Sequence, residues 1–408
     1  RRYAAAMLPA RIREFTLENY KAFALTDRIE LAPLTIVLGR NNAGKSALCR
    51  APLFFLNALR RDAWTPFPLV LDGVHFGDRL EDVVFRRQAS GFSGSFLLDV
   101  DGNSYQFSIG GTENYSFQAA GQGSFGQQMV TWLELAQSSQ STQRWKLPSP
   151  TVDWQSVRRQ LDQFLGLRAV PEQIRLLSGL RATPMPSYRY VGGQPPDVGT
   201  TGSLTPSLLA HDFVAGGGRL LTSVNDWLGR NLQVQLRLAS TGHNQFQLLA
   251  QSRGGSEANL ADCGEGLGQI LPVVVALTAL QDTASPVGLY VIEQPEVHLH
   301  PFAHSAVAEL FVAACQVPSS PWFLIETHSD NFLLRVRVAI AEDRLRRDAV
   351  RVYFVEDQGE EGSRVIPIQF DEQGTPDRWP KGVFAENLAE FRRLREAATR
   401  SVAKGSPK

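Results

Sequence analysis

The chain has 408 residues, and its 41 basic and 41 acidic side chains leave no formal net charge, which argues against a protein coated in positive charge. This length predicts two or three compact units or one large composite domain, and 43% hydrophobic residues exclude a disordered chain. The longest apolar run, residues 271–280, is too short to cross a bilayer, so no membrane partner is expected. The opening RRYAAAML lacks the apolar core of a secretion signal, and the three distant cysteines do not suggest disulfides, so a cytoplasmic location is expected.

The predicted elements begin with strands and end with alternating strands and helices. Strands are predicted at 12–17 and 29–38, and a helix broken only by Pro52 at 46–61. Residues 93–150 have the pattern of short strands and polar loops, 152–180 have helical spacing, and 181–203 are irregular. A helix at 207–228 precedes a strand pair at 234–240 and 246–252. Helices at 266–281, 302–315 and 330–347 then alternate with strands at 287–292, 322–326 and 350–355. This alternation predicts an α/β fold class with a mostly parallel central sheet covered on both faces.

A phosphate-binding motif is the strongest signal in the chain. Residues 39–46, GRNNAGKS, fit the P-loop pattern GxxxxGK[ST] in full, between an apolar strand and a helix. The glycines let backbone N–H groups point at a phosphate chain, and the helix offers its positive end to the same anion. Lys45 is expected to reach the β- and γ-phosphates, and the Ser46 hydroxyl to ligate Mg²⁺. The candidate nucleotide contacts here are Gly39, Asn41, Asn42, Gly44, Lys45, Ser46 and Ala47. An ordinary glycine turn that caps a helix is the less favoured alternative.

A second signal is the apolar strand that runs directly into carboxylates in LYVIEQPE, residues 289–296. A P-loop enzyme needs an acidic group at the end of a neighbouring strand, to hold Mg²⁺ and to orient the attacking water. Glu293 is the candidate for the carboxylate on the metal side. The general base stays open, because the next residue is Gln294 and the next carboxylate is Glu296.

Two weaker signals follow from glycines and histidines. Gly264, Gly266 and Gly268 precede a helix and could hold a phosphate of a partner molecule's nucleotide, although a plain helix-start loop explains them as well. His328 ends a buried strand and could bind a γ-phosphate or the attacking water, although a surface histidine beside a helix cap is the simpler alternative. The spacing of His298, His300 and His304 does not favour zinc.

Taken together, these segments resemble the head of ABC-type ATPases. Four motif sequences are similar to those of the SMC-like and overcoming-lysogenisation-defect (OLD) branch: GRNNAGKS, GEGLGQILP, YVIEQPEVHLHP and ETHSD. They differ from the LSGGQ and DEP motifs of membrane transporters. The opening FTLENYKAF and the irregular LSGLRATPMPSYRYVGGQPPDVGTTGS also resemble bacterial members of this branch. The ending IQFDEQGTPDRWPKGVFAENL is similar to a short C-terminal domain of unknown function.

The resemblance implies a P-loop NTPase fold with an antiparallel β subdomain and a helical signature lobe. It implies ATP and Mg²⁺ as cofactors, with phosphates on the 39–46 loop, Mg²⁺ near Ser46 and Glu293, and His328 as a γ-phosphate switch. Gly264, Gly266 and Gly268 would meet the ATP of the other subunit of a homodimer. Gln294 departs from the pattern, since many ABC ATPases have the catalytic glutamate there. Hydrolysis is therefore expected to be slow, or Glu293 or Glu296 serves as the base. Gln88 is a guess for the Q-loop glutamine.

The expected organisation has four parts. Residues 11–150 would form the N-terminal half of the ATPase lobe with the P-loop and β subdomain, 151–286 the helical signature lobe, 287–356 the C-terminal half of the ATPase lobe, and 357–408 a small C-terminal extension. VYFVEDQGEEG weakly resembles the first strand of a Toprim nuclease domain. The chain beyond it is too short for the remainder of that domain, so no nuclease activity is predicted.

The expected function is therefore an ATPase that dimerises around ATP. By family analogy it would act in DNA-linked processes or phage defence with a separate effector protein, a nuclease or a toxin. DNA is a further possible partner, although clustered arginines usually form a salt-bridged face. The arginines considered are Arg335, Arg337, Arg344, Arg346 and Arg347 on one predicted helix and Arg392, Arg393 and Arg395 on another. Alternatives are a regulatory switch or scaffold with negligible turnover and, less favoured, a transporter subunit.

Overall fold

The computed structural model describes residues 9–60, 67–87, 91–100, 103–115, 126–137, 143–145, 170–282 and 287–380. Its centre is a six-stranded sheet in which five strands are parallel and the last is antiparallel. In spatial order the strands are Ile174–Leu177, Leu289–Glu293, Trp322–Glu326, Leu34–Gly39, Val350–Asp357 and Ser363–Ile368. The second, third and fourth are called here the acidic strand, the histidine strand and the P-loop strand. Because both faces are covered, these strands consist almost entirely of buried apolar residues.

Helices cover the two faces of this sheet and create two apolar cores. The helices are Lys45–Leu56 (the P-loop helix), Thr205–His211, Arg219–Leu232, Glu265–Asp282 (the signature helix), Pro301–Cys315 and Asp330–Ala341. On the P-loop helix, Phe54 and Phe55 pack against Tyr20, Phe67 and Phe92. This aromatic cluster fixes the helix between the central sheet and an antiparallel sheet.

That antiparallel sheet contains seven strands. They are Arg11–Tyr20, Phe23–Leu25, Ile29–Glu30, Phe92–Val100, Asn103–Tyr115, Gly126–Gln137 and Gln143–Trp145. A second antiparallel sheet contains Tyr188–Arg189, Val234–Gly242, Gln245–Ser252 and Glu257–Asn259, and a small pair joins Val70–Leu71 to Val74–His75. The antiparallel β subdomain and the helices expected from the resemblance are thus both present.

Several predicted elements differ in detail. The helix predicted at 152–180 is wrong at its C-terminal end, where Ile174–Leu177 pairs in parallel with the acidic strand; residues 152–169 lie outside the described residues. A short apolar run fits the periodicity of a helix and that of a strand equally well. Here the edge of the central sheet supplies backbone hydrogen-bond partners, so the run forms a strand. The helix predicted at 207–228 is interrupted by a π-turn at Asp212–Gly216 and two left-handed glycines. The strands predicted as short within 93–150 reach 13 residues, and the helix predicted to reach 347 ends at Ala341.

The C-terminal part of the described chain continues the central sheet. Ser363–Ile368 forms a hairpin with Val350–Asp357, so the boundary expected at residue 357 falls inside this hairpin. Residues 381–408 lie outside the described residues. Within the described ranges, every helix is too short or too polar to cross a membrane.

Candidate functional site

The loop after the P-loop strand has a conformation that requires glycine at two positions. Gly39 has a φ of 148°, and a Cβ there would lie 2.4 Å from the carbonyl oxygen of Val355 on the neighbouring strand. Gly44 has a φ of 93°, and its Cβ would lie 2.7 Å from that of Ala22. Between them, Asn41 and Asn42 are exposed. The backbone therefore curls into an open cradle whose walls leave no room for side chains at its two ends.

Lys45 lies inside this cradle. Its side chain is 3% exposed, and Nζ donates a 2.7 Å hydrogen bond to the carbonyl oxygen of Arg40 in the loop. Nζ also lies 3.9 Å from Oε1 of Glu326. Burial lowers the pKa of Lys45, and the charge of Glu326 opposes this shift. Lys45, Ser46 and Ala47 form the first turn of the P-loop helix, so a buried cation and a helix N-terminus face the same point.

Both carboxylate oxygens of Glu293, at the end of the acidic strand, accept hydrogen bonds. Its two carboxylate oxygens accept bonds of 2.5 and 2.7 Å from Nε and Nη2 of Arg50, on the P-loop helix. The backbone N–H of Gly179 donates a further bond of 3.1 Å. The Glu293 side chain is 4% exposed and the Arg50 side chain 23%. This bidentate pair ties the P-loop helix to the acidic strand.

Glu326, for which sequence reasoning proposed no role, lies nearest to the P-loop. It ends the histidine strand, in register with Val37 of the P-loop strand on one side and Glu293 on the other. The residue is 3% exposed, and the Ser46 side chain is close enough to lower its pKa. Its Oε2 is buried and has no hydrogen-bond partner. Burial, and then the charge of Glu293, raise the pKa of Glu326, although Ser46, Lys45 and Arg50 oppose this. The signal that could have found it is the one that marked Glu293, a carboxylate at the end of a buried strand.

Glu296 holds the turn of residues 327–329, called here the histidine turn, through hydrogen bonds. It is 6% exposed, and its Oε1 accepts hydrogen bonds from the Thr327 hydroxyl (2.6 Å) and the His328 backbone N–H (2.9 Å). His328 is exposed as a whole residue, and partial desolvation of its ring, followed by the charge of Lys45, lowers its pKa. The structure therefore places His328 within the electrostatic reach of the P-loop lysine. Ser329 caps the next helix by accepting from the N–H of Phe332 (3.0 Å).

Gln294 occupies a strained turn after the acidic strand. It has a φ of 44°, and its backbone N–H donates a 2.7 Å hydrogen bond to the Glu326 carbonyl oxygen. Arg181, which sequence reasoning missed, donates to the carbonyl oxygens of Glu293 (2.9 Å) and Gln294 (3.2 Å). Burial lowers the pKa of Arg181 to about 10. In the sequence, Arg181 is a single arginine in an irregular segment. Nothing in that segment indicates which residues it contacts.

The signature glycines have different surroundings. A Cβ on Gly266 would lie 2.7 Å from the carbonyl oxygen of His298, and one on Gly268 would lie 2.7 Å from Cγ of Pro184. Gly264 faces open space. Close packing within the chain thus accounts for two of the three glycines, and only Gly264 has room for a contact from outside.

The remaining predicted groups lie around this centre. His300 caps helix Pro301–Cys315, and His304 hydrogen-bonds to Ser329 (2.7 Å) and to the Leu299 carbonyl (3.1 Å). His298 lies 3.5 Å from Glu265. In the part of the chain that the structure describes, no group of three or more His, Cys, Asp or Glu residues could hold a metal ion. Gln88, Arg392, Arg393 and Arg395 lie outside the described residues.

The arginines considered for DNA binding make contacts within the chain. Arg335 and Arg344 both bind Glu309, and Arg346 binds Asp348. The pattern matches a salt-bridged surface.

Comparisons with known proteins bear on the fold of the chain. A family model described as "AAA domain, putative AbiEii toxin, Type IV TA system" matches residues 139–335. A comparison with curated proteins finds no match. Among solved structures, the chain is similar to an SMC head bound to the C-winged helix domain of ScpA, with a TM-score of 0.53 and 13% identity over 89% of this chain and 98% of that one. It is also similar to an Smc head domain with an extended coiled coil, bound to the C-terminal domain of ScpA derived from Pyrococcus furiosus. There the TM-score is 0.51 at 10% identity, over 95% of this chain and all of the other. The expected fold class is thereby confirmed: the chain has a fold like that of SMC head domains, and its residues 139–335 match the AAA domain family model.

Proposed function

We propose that this protein binds ATP with Mg²⁺ in the 39–46 cradle and hydrolyses it slowly, as a homodimer that encloses the nucleotide between two subunits. The observation that carries the proposal is Lys45, a buried ammonium group held within a backbone cradle that glycines keep open. The nearest anion, Glu326, lies 3.9 Å from Nζ, beyond hydrogen-bonding distance, and a phosphate chain in the cradle would supply closer oxygens to compensate the desolvation of this cation.

The residues beside Lys45 suit a divalent cation. The Ser46 hydroxyl offers a neutral oxygen ligand, and the buried Oε2 of Glu326 lacks a partner that a cation would provide. Mg²⁺ bound there would neutralise charge on the phosphates and fix their orientation. Sequence reasoning predicts Glu293 as the carboxylate on this side, and in the structure both of its oxygens accept hydrogen bonds from Arg50.

The chain's own residues explain why turnover would be slow. Gln294 can orient a water molecule but cannot take its proton. Glu296 is buried, and its Oε1 is committed to the histidine turn, which leaves Oε2 as the oxygen of this carboxylate that could accept a proton. His328 would sense the terminal phosphate from beside Lys45.

Nucleotide binding tests the site. We expect Lys45→Ala to weaken binding of a fluorescent ATP analogue at least about tenfold, because it removes the cation that compensates the phosphate charge. Arg28→Ala is the control, since Arg28 is a largely exposed cation paired with Glu14. Equal affinities of Lys45→Ala and the parent protein would show that the site is wrongly assigned.

Gln294 also favours a second candidate function, a nucleotide-dependent switch with negligible hydrolysis. Comparison of ATP turnover in the parent and Gln294→Glu proteins separates the two. For a slow ATPase we expect measurable parent turnover, abolished by Lys45→Ala, and a rate up to about 10²-fold higher once a base is restored. No parent turnover together with nucleotide-dependent dimerisation would favour the switch.

Roles in DNA-linked processes or phage defence, and a separate effector protein, remain proposals from the family resemblance. The intramolecular ion pairs of Arg335, Arg344 and Arg346 favour weak DNA binding. Affinity for duplex DNA measured against salt concentration tests this, because direct phosphate contacts give a steep dependence. Affinity purification from the native host, with and without ATP, tests for the effector.

A further inference from the structure

We infer that Arg181 is a positioning residue for ATP hydrolysis: it holds the backbone turn at Gln294, and thereby the amide that orients the attacking water. This inference rests on the proposed function and adds a residue to its machinery. Arg181 approaches the turn from the side of the acidic strand that faces away from the P-loop strand.

Arg181 belongs to a segment whose path is fixed by the central sheet. The edge strand Ile174–Leu177 pairs in parallel with the acidic strand, so both strands end at the same edge of the sheet. Just beyond the edge strand, the backbone N–H groups of Ser178 and Ala182 each donate a 2.8 Å hydrogen bond to a carbonyl oxygen of residues 200–201. The backbone of Arg181 is therefore held on both sides, next to the turn that follows the acidic strand.

The guanidinium group of Arg181 binds the backbone carbonyls of this turn. Nη2 donates to the carbonyl oxygens of Glu293 (2.9 Å) and Gln294 (3.2 Å), and Nη1 donates to that of Gln294 (3.3 Å). On the opposite side, the N–H of Gln294 donates to the carbonyl oxygen of Glu326 (2.7 Å). The φ of 44° at Gln294 is one that a residue with a side chain keeps only where its surroundings hold it. Arg181 supplies this support on the carbonyl side.

The charge of Arg181 is compensated by the carboxylates around the turn. The residue is 8% exposed, and burial lowers its pKa to about 10 against the opposing charges of Glu296 and then Glu293. Among the described residues, Nε of Arg181 and Oε2 of Glu296 are both buried without a hydrogen-bond partner. A neutral residue in place of Arg181 would remove donors from both carbonyls and a positive charge from beside Glu296.

The segment that carries Arg181 also packs against the Gln294 side chain. A Cβ on Gly179 would lie 3.6 Å from Cβ of Glu293 and 3.7 Å from Oε1 of Gln294. Because a displacement of about 1 Å at a group that orients a reactant can lower a rate about 10²-fold, a looser turn should slow hydrolysis. Nucleotide affinity should change little, since the hydrogen bonds of Arg181 go to the turn and not to the 39–46 cradle.

The test separates turnover from binding. The kcat for ATP and the Kd of a fluorescent, non-hydrolysable ATP analogue are measured with Mg²⁺ for the parent, Arg181→Gln and Arg181→Lys. We expect Arg181→Gln to lower kcat at least about tenfold while Kd stays within about twofold of the parental value. Arg181→Lys keeps the charge and should recover part of the loss. The matched control is Arg175→Gln, which removes an arginine of the same edge strand, paired with Asp197, and should keep the parental kcat.

A second background tests whether Arg181 acts through Gln294. In Gln294→Ala protein, which has no amide to place, Arg181→Gln should cause little further loss of kcat. A loss as large as in the parental background would refute the inference, because it would show a merely structural role. A parental kcat in Arg181→Gln itself would also refute it.

Hydrogen exchange decides wherever turnover is below detection. Exchange of the backbone N–H groups of residues 293–299, followed by mass spectrometry with the analogue and Mg²⁺ bound, should be at least about tenfold faster in Arg181→Gln than in the parent. Arg175→Gln should leave it unchanged. Parental exchange in Arg181→Gln would overturn the inference.

The outcomes also separate this inference from the proposed function. A parent protein that binds no nucleotide would refute the proposed function, whereas exchange measured without nucleotide would still test whether Arg181 holds the turn. Should Arg181→Gln not fold, by circular dichroism, Arg181→Lys takes its place in every measurement, since an ammonium group lacks the planar fork that serves both carbonyls. Parental kcat and parental exchange in that variant would refute the role of Arg181.

Discussion

Removing one partner of the ion pair between Arg50 and Glu293 should be unusually destabilising. Removing one partner of a buried pair leaves an uncompensated charge and costs about 3–5 kcal/mol. Because the Arg50 side chain is 23% exposed, water can reach it, and we expect Arg50→Leu to cost about 3 kcal/mol, the lower end of that range. Glu293→Gln keeps part of the hydrogen bonding and should cost about 2 kcal/mol.

A double-mutant cycle isolates the pair. Urea unfolding of the parent, both single variants and the double variant, followed by circular dichroism, gives the coupling free energy between the two positions. We expect a coupling of about 2 kcal/mol, because the double variant no longer buries a lone charge. Arg28→Leu, in an exposed pair with Glu14, is the control and should cost less than about 1 kcal/mol. Additive single effects, or an Arg50→Leu cost no larger than that of Arg28→Leu, would refute the argument.

Three further predictions concern the cradle, the signature and the histidine turn. Gly39→Ala should abolish nucleotide binding and cost about 1–3 kcal/mol, since its Cβ would lie 2.4 Å from a backbone oxygen; calorimetry and thermal melting measure both. Gly264→Ala faces open space, so it should melt like the parent but weaken ATP-dependent dimerisation in analytical ultracentrifugation. Glu296→Ala should cost about 1–3 kcal/mol in urea unfolding, because the Thr327 hydroxyl and the His328 N–H lose their acceptor.

Each of these has a clear contrary result. Parental nucleotide affinity in the Gly39 variant would show that the cradle tolerates a side chain. Parental dimerisation in the Gly264 variant would remove this glycine from the subunit interface. A parental free energy of unfolding in the Glu296 variant would show that the carboxylate does not hold the histidine turn.

Local signals in the sequence were sufficient for the centre of the site. The P-loop motif specifies its own backbone conformation, and the structure has the strand, the loop and the helix that the motif requires. Parallel strands also bring their carboxyl ends to one edge, so Glu293 and His328 could be expected to approach the same region.

Pairings between distant residues could not be predicted in the same way. Arg50 is an ordinary helix residue until its partner, 243 positions away, is known. Glu293 and Glu326 carry the same local signal, and only the strand order shows that Glu326 is adjacent to the P-loop strand. The edge strand Ile174–Leu177 was likewise misassigned as helix, because its four residues form a strand only by pairing with residues more than a hundred positions later.

The contact between Gly266 and His298 links two regions that the proposed dimer would use separately. The start of the signature helix rests against the carbonyl of His298, in the loop that also carries Glu296, the holder of the His328 turn. Gly266 has no side chain that could yield, so a displacement of the helix toward the loop would press on the backbone of the loop. A neighbouring subunit that pushed on this helix would therefore change the position of the histidine beside the chain's own nucleotide cradle. The two nucleotide sites of a dimer would then respond to each other through rigid backbone contact.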